Sequence, residues 1–310
     1  MNRTFELDQI FDALRLLDID YEVFGEVNKS RFFFASLRSL EPGGIYFLDG
    51  EFNEDIGFSE SVVLTNKKID IDNVVALVVS SPQLVFYRLM RHLFPREPVH
   101  RIHETAIIDP EAKISSSAFI GPYCVIGKAV IGDSVSLHSH VVVFDDVEIG
   151  DGVVVEPHST IGATGVAWIW DRETGERVIQ PQIGGVYIGQ GSFLGSDVTV
   201  VRGSVNENTT IGEYCVVAHG SKVGHGCHVA SHVHFANNVS LAGNVNVGKR
   251  CFLGSGCAVR PRVTLSDDTV VGVGAVVVKD TPMSGLTLSG VPAKPMKEKT
   301  YRAGVPKSLR

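Results

Sequence analysis

Five of the chain's eleven histidines, His219, His225, His228, His232 and His234, fall within sixteen residues. Imidazole is the side chain best suited to carry a proton near neutral pH, so what surrounds these residues decides what they can do. A repeat sets those surroundings. From Ile211 every sixth residue is apolar, through Val217, Val223, Val229, Phe235, Leu241, Val247, Leu253, Val259, Leu265, Val271 and Val277. Neither a helix nor an antiparallel strand has that period. Each hexapeptide reads as one short parallel strand plus a corner, and three of them close a coil of about 18 residues whose sixth residues point inward. His219 and His225 each stand two residues past an inward position and face out. One coil beyond His225 stands Gly243, whose missing side chain is expected to leave its N–H open to a ligand. A general base beside an exposed N–H suits attack on a thioester, because the base takes the nucleophile's proton while the donor holds the developing oxyanion.

The elements that must position these groups follow from the same period. Upstream the rule holds through Ile108, Ile114, Ile120 and Ile126, slips by one residue near Lys128, and continues through Ile131, Leu137, Val143, Ile149, Val155 and Ile161. It resumes at Ile188, Leu194 and Val200, so residues 163–187 are an excursion, and a loop of that length in a solenoid is usually functional. The residue after each inward position is mostly Gly or Ala, as a tight corner is expected to demand. Cys124, Cys215, Cys227, Cys251 and Cys257 each lie four residues past an apolar position, and all five read as buried filler rather than a disulfide framework or a catalytic thiol.

Residues 1–98 lack the sixfold rule. Helical periodicity at 6–17 and 81–93 brackets short apolar runs at 45–48, 61–65 and 74–81 that read as strands, which predicts a small α/β domain. The stretch FPREPVHR at 94–101 reads as a linker. The β-helix is expected over 99–281, and residues 282–310, punctuated by Pro282, Gly290 and Pro292, as a short helical tail.

Composition narrows the class. The 310 residues are 44% hydrophobic and 20% charged, as in ordinary globular proteins. A formal net charge of −7 argues against nucleic-acid binding, which needs a basic face. No apolar run reaches the ~18 residues of a membrane span, and the acidic N-terminal stretch is unlike a signal peptide, so a cytoplasmic protein is expected. The tail is locally basic, with Lys294, Lys297, Lys299, Arg302, Lys307 and Arg310 against Glu298. That suits a solvated terminus, or contact with the phosphates of coenzyme A or with an acidic carrier protein.

The stretches IGATGVAW (161–168), PQIGGVYIG (181–189), VVRGSV (200–205), VGHGCHVASHVHFANNVSLAGNVNVG (223–248) and SGVPAKP (289–295) resemble the UDP-3-O-acylglucosamine N-acyltransferases of lipid A synthesis (LpxD). The segment around His225 is also similar to the UDP-N-acetylglucosamine O-acyltransferases of that pathway. The resemblance implies an α/β domain, a left-handed parallel β-helix of hexapeptide repeats and a homotrimer with active sites between the helices. It implies an acyl group, 3-hydroxyacyl in the family, delivered as an acyl carrier protein or coenzyme A thioester to the amine of a nucleotide sugar, with no bound cofactor or metal. By resemblance His225 is the base and Gly243 supplies the oxyanion N–H. Phe47 and Phe52 in FLDGEFN (47–53) fall in the uracil-stacking turn, and Asn237 and His228 are substrate-side residues. Trp168 and Trp170 on the excursion are expected to cover the sugar or acyl site. The chain departs from the family at Ala218 and His219, where an Asp-Asn pair stands, and at Arg262, where a second histidine stands.

Two other readings compete. The run AHGSKVGHGCHVAS (218–231) is similar to acetyl-coenzyme A-dependent nucleotide-amino-sugar N-acetyltransferases of O-antigen and other surface glycans, a resemblance that makes His219 the base and His228 a donor contact. A zinc-dependent β-helical hydratase would instead use His228 with His232 or His234 and a partner subunit's ligand.

Overall fold

The computed structural model describes residues 3–49, 57–95 and 102–296, which divide into two compact units at residues 97/98. In the first unit the sheet order is β1-β5-β4-β3-β2, with β1 Glu22–Phe24, β2 Phe33–Phe34, β3 Gly44–Leu48, β4 Ser61–Thr65 and β5 Val74–Val78. The four strands β2 to β5 run parallel, and β1 pairs antiparallel to β5. Helix α1 (Leu7–Leu16) buries Ile10, Ala13 and Leu14, and α2 (Pro82–Leu93) buries Val85, Phe86 and Leu89. Alternation along the strands sends Ile45, Val62, Leu64, Val75 and Leu77 into one core with the helices, and Tyr46, Val63 and Ala76 into the core on the other face. Residues 96–101 of the expected linker, and Phe52, lie outside the described residues.

The second unit is the left-handed parallel β-helix that the six-residue period requires. Its described strands form three parallel faces. Face I has eight strands, from Lys113–Ile114 to Thr264–Leu265, and face III has nine, from Ile107–Ile108 to Val276–Val277. Face II has ten and ends with Thr287–Ser289 and the antiparallel Lys294–Pro295. Those last two strands occupy the start of the expected tail; its remainder, residues 297–310, lies outside the described residues. The inward residues make one continuous core, with Ile211, Val217, Val223, Phe235 and Leu253 all 0% exposed. All five cysteines are buried in it, and Cys227 Sγ donates to the Ala242 carbonyl at 3.0 Å.

The corners correct the sequence reading of the small residues. Positive φ falls not on the residue after the inward position but two further on, at Tyr214, Gly220, Gly226, His232, Asn238, Asn244 and Arg250. Glycine follows the inward position for a different reason: a Cβ at Gly224 would lie 2.7 Å from the Ala242 carbonyl carbon, and one at Gly212 would lie 2.7 Å from the Ser231 nitrogen. Closeness of the next coil, not backbone torsion, selects small residues there.

Register shows where the repeat is broken. In the regular coils each residue pairs with its equivalent one full coil away, Thr210 with His228 and His228 with Asn246. Val130 pairs with Lys113, one position short of a full coil, which places the slip near Lys128. Tyr187 pairs with Glu148 across the 163–187 excursion, which carries an antiparallel hairpin of Trp168–Trp170 with Arg177–Ile179. A further break escaped the sequence reading: Thr210 pairs with Tyr187, farther back than one coil reaches, so residues 202–208 hold a short insertion. All three irregularities lie at the corner joining face III to face I, the corner that carries His225.

Candidate active site

His225 projects from the III/I corner between the strands Lys222–Val223 and His228–Val229. Its ring lies across Gly243 of the next coil: a Cβ there would come within 2.7 Å of the imidazole Cε1 and closer still to Nε2. The glycine therefore makes room for the imidazole itself, rather than only for a ligand. The Gly243 carbonyl accepts from the Arg262 N–H at 3.1 Å, while its own N–H has no acceptor among the described residues. Nε2 and a free backbone N–H thus share one half-buried corner.

The other ring nitrogen is held by the insertion that breaks the repeat. Ser204 Oγ lies 3.1 Å from His225 Nδ1. Nothing about Ser204 as a residue type signals this. The only trace in the sequence is that the spacing from Val200 to Ile211 is not a multiple of six. Residues 202–208 pack on the end of the long excursion. The Ile183 N–H donates to the Ser204 carbonyl at 3.0 Å, and the Gly203 and Thr209 N–H groups share the Gly185 carbonyl at 3.1 Å each. Asn208 Oδ1 accepts from the Gly185 N–H at 2.8 Å. Arg202 ties the corner together, donating to the Gly184 carbonyl at 2.7 Å, the Asp145 carbonyl at 3.1 Å and Asp146 Oδ2 at 3.0 Å. The Glu207 carboxylate lies against Gly226, where a Cβ would meet its Oε1 at 2.9 Å.

His219 stands elsewhere, on the II/III corner, exposed. Its Nδ1 accepts the Ser196 N–H at 2.8 Å. In the neutral ring the proton then sits on Nε2, which leaves no free lone pair to act as a base. Asn237 is exposed one coil beyond His219 on that same corner, so within a single chain it belongs with His219 and not with His225. His228 faces out from face I, its Nδ1 2.9 Å from Thr210 Oγ1. His232 stacks on Tyr214 at 5.4 Å, and His234 packs on Phe252 at 5.1 Å, where burial pushes its pKa down. Among the described residues no three His, Cys, Asp or Glu side chains gather as metal ligands.

The hairpin with Trp168 and Trp170 leaves from the III/I corner two coils before His225, and the indoles are 45% and 57% exposed, so both are available to cover a ligand or a neighbouring chain. In the first unit Phe47 is half-buried and lines a groove of about 470 Å³ with Phe34, Arg38, Phe86, Tyr87 and Met90. Such a groove can hold a planar ring. Burial raises the thiols of Cys215 and Cys227 to about 11 and that of Cys257 to about 12, so none of these three is a nucleophile near neutral pH.

The three-faced prism is a stack of hexapeptide repeats, and residues 128–163 match the model of the bacterial transferase hexapeptide (six repeats). The chain is 31% identical over 201 residues to a UDP-3-O-acylglucosamine N-acyltransferase of Coxiella burnetii, over 57% of this chain and 58% of that protein, so it spans under two thirds of the curated relatives it matches. Among solved structures it is similar to LpxA from Acinetobacter baumannii, at 31% identity and a TM-score of 0.55, over 63% of this chain and 73% of that one. It is also similar to UDP-N-acetylglucosamine O-acyltransferase (LpxA) from Moraxella catarrhalis, at 30% identity and a TM-score of 0.59, over 67% and 79%. The chain carries the hexapeptide-repeat β-helix and is similar, through it, to these acyltransferases.

Proposed function

We propose that the protein moves an acyl group from a thioester of acyl carrier protein or coenzyme A to the amine of a nucleotide-linked amino sugar, in the synthesis of lipid A or another surface glycan. It acts as a cytoplasmic homotrimer with its sites between β-helices. The observation that carries this reading is His225 lying across Gly243, a ring nitrogen beside a backbone N–H that has no acceptor of its own among the described residues.

The chemistry follows from those two groups. The neutral amine attacks the thioester carbonyl carbon, and His225 Nε2 takes the proton the nitrogen must lose. The carbonyl oxygen, now negative, accepts a hydrogen bond from the Gly243 N–H. Collapse breaks the C–S bond, and the thiolate takes the proton back from the imidazolium, leaving an amide and a free thiol. Phe47 and its aromatic groove stack the nucleobase, and the Trp168–Trp170 hairpin shields the acyl or sugar end. His219 does not share this geometry, because its acceptor nitrogen is already occupied.

His225→Ala tests the reading. Thiol release from carrier-protein and coenzyme A thioesters, with a panel of nucleotide-linked amino sugars, falls at least about 10²-fold while melting temperature and oligomeric state stay put. Near-normal turnover in that variant refutes the assignment.

A further inference from the structure

We infer that Ser204 is a positioning residue that sets which nitrogen of His225 carries the proton; the inference rests on the reading of His225 as the base. The distance of 3.1 Å from Ser204 Oγ to Nδ1 is one half of the observation. The other half is what holds the serine. The insertion that carries it is fastened to the coil beneath by the Ile183 N–H to the Ser204 carbonyl at 3.0 Å and the Gly184 N–H to the Gly203 carbonyl at 3.1 Å. At Gly203 a Cβ would strike the Glu207 carbonyl, so the turn closes only with glycine there. The hydroxyl is presented by a rigid backbone and not by a free loop.

With the Ser204 oxygen accepting the Nδ1–H, the arrangement inferred here, the neutral ring keeps its lone pair on Nε2, at Gly243. When Nε2 takes the substrate's proton, both ring nitrogens become donors and the hydroxyl still accepts at Nδ1. One contact therefore serves the base before and after proton transfer. The contrast with His219 is direct: there a backbone N–H faces Nδ1, which demands the opposite tautomer. Of the charged residues, Glu207 brings its carboxylate against Gly226, Arg262 meets the Gly243 carbonyl through its backbone N–H, and Arg202, bonded to Asp146, ties down the insertion.

The test compares Ser204→Ala, Ser204→Thr and Ser204→Asp in full-length protein. Ser204→Ala lowers kcat about 10- to 100-fold with the KM of both substrates changed by less than about twofold, the size of effect typical when a supporting contact to an active imidazole is lost. Ser204→Thr restores most of kcat. Ser204→Asp moves the acid limb of the kcat profile upward by about one pH unit, since a carboxylate in hydrogen-bond reach favours the imidazolium. Nitrogen NMR of labelled imidazole, read without substrate, shows Nδ1 protonated in the wild type and a mixed tautomer in Ser204→Ala. Wild-type kcat in Ser204→Ala, an unmoved acid limb in Ser204→Asp, or a proton found on Nε2 each overturns the inference. Failure of the underlying base assignment shows up separately, as activity surviving His225→Ala.

Discussion

Gly243→Ala puts the geometry of the site under the sharpest test. A methyl at this position would stand 2.7 Å from His225 Cε1, whereas carbon atoms in contact rest at about 3.5–4.0 Å. The ring must therefore retreat by about 1 Å, and it retreats away from the N–H with which it is paired. A displacement of that size from a reactive arrangement costs about 10²-fold in rate, or about 2.7 kcal/mol of transition-state stabilisation. The fold should tolerate the change. Gly243 is not among the residues with positive φ, so alanine can adopt its backbone, and the corner is only half-buried. The loss of stability is about 1 kcal/mol or less. Steady-state kinetics beside a thermal melt separates the two effects, with kcat/KM down about 100-fold and the melting temperature nearly unchanged. Unaltered kinetics would show that the His225 ring can move without consequence, and a collapse of the melt would show that Gly243 serves the solenoid rather than the chemistry.

Three further expectations follow. His219→Ala keeps kcat within about threefold of wild type, because its Nδ1 is bound to a backbone N–H and its loss removes no base; a deep loss of turnover would move the chemistry to the II/III corner. The native protein resists alkylation by iodoacetamide at neutral pH and exposes five reactive thiols only in denaturant, since every cysteine is buried. Stability falls as the pH drops below 6.5, because burial lowers the pKa of His234 in the folded chain and the unfolded chain then binds the extra proton; the contribution is fully present above 6.5. His234→Gln should flatten that acid slope in chemical denaturation, and an unchanged slope would assign it to other groups.

The period of six determined by itself that the second unit folds as a β-helix, because only a three-sided coil brings every sixth residue into one core. The same arithmetic paired His225 with Gly243 and sent Cys215, Cys227 and Cys251 inward, since in a regular solenoid sequence distance is spatial distance. In the first unit the apolar runs at 45–48, 61–65 and 74–81 sufficed for three strands, whereas β1 and β2, at three and two residues, are too short to carry a pattern. Tertiary structure decided whatever depends on departures from the repeat. Ser204 reaches His225 through an insertion that has no periodicity to read, and it holds its place by backbone bonds to residues 183–185, contacts that leave no mark on side-chain type. The direction of each imidazole was likewise hidden. His219 and His225 occupy equivalent positions one hexapeptide apart, yet one folds back onto a backbone N–H of the preceding coil and the other reaches forward across a glycine. A linear pattern records which face a residue takes. Which proton its ring can carry is decided only by the atoms that the fold packs beside it.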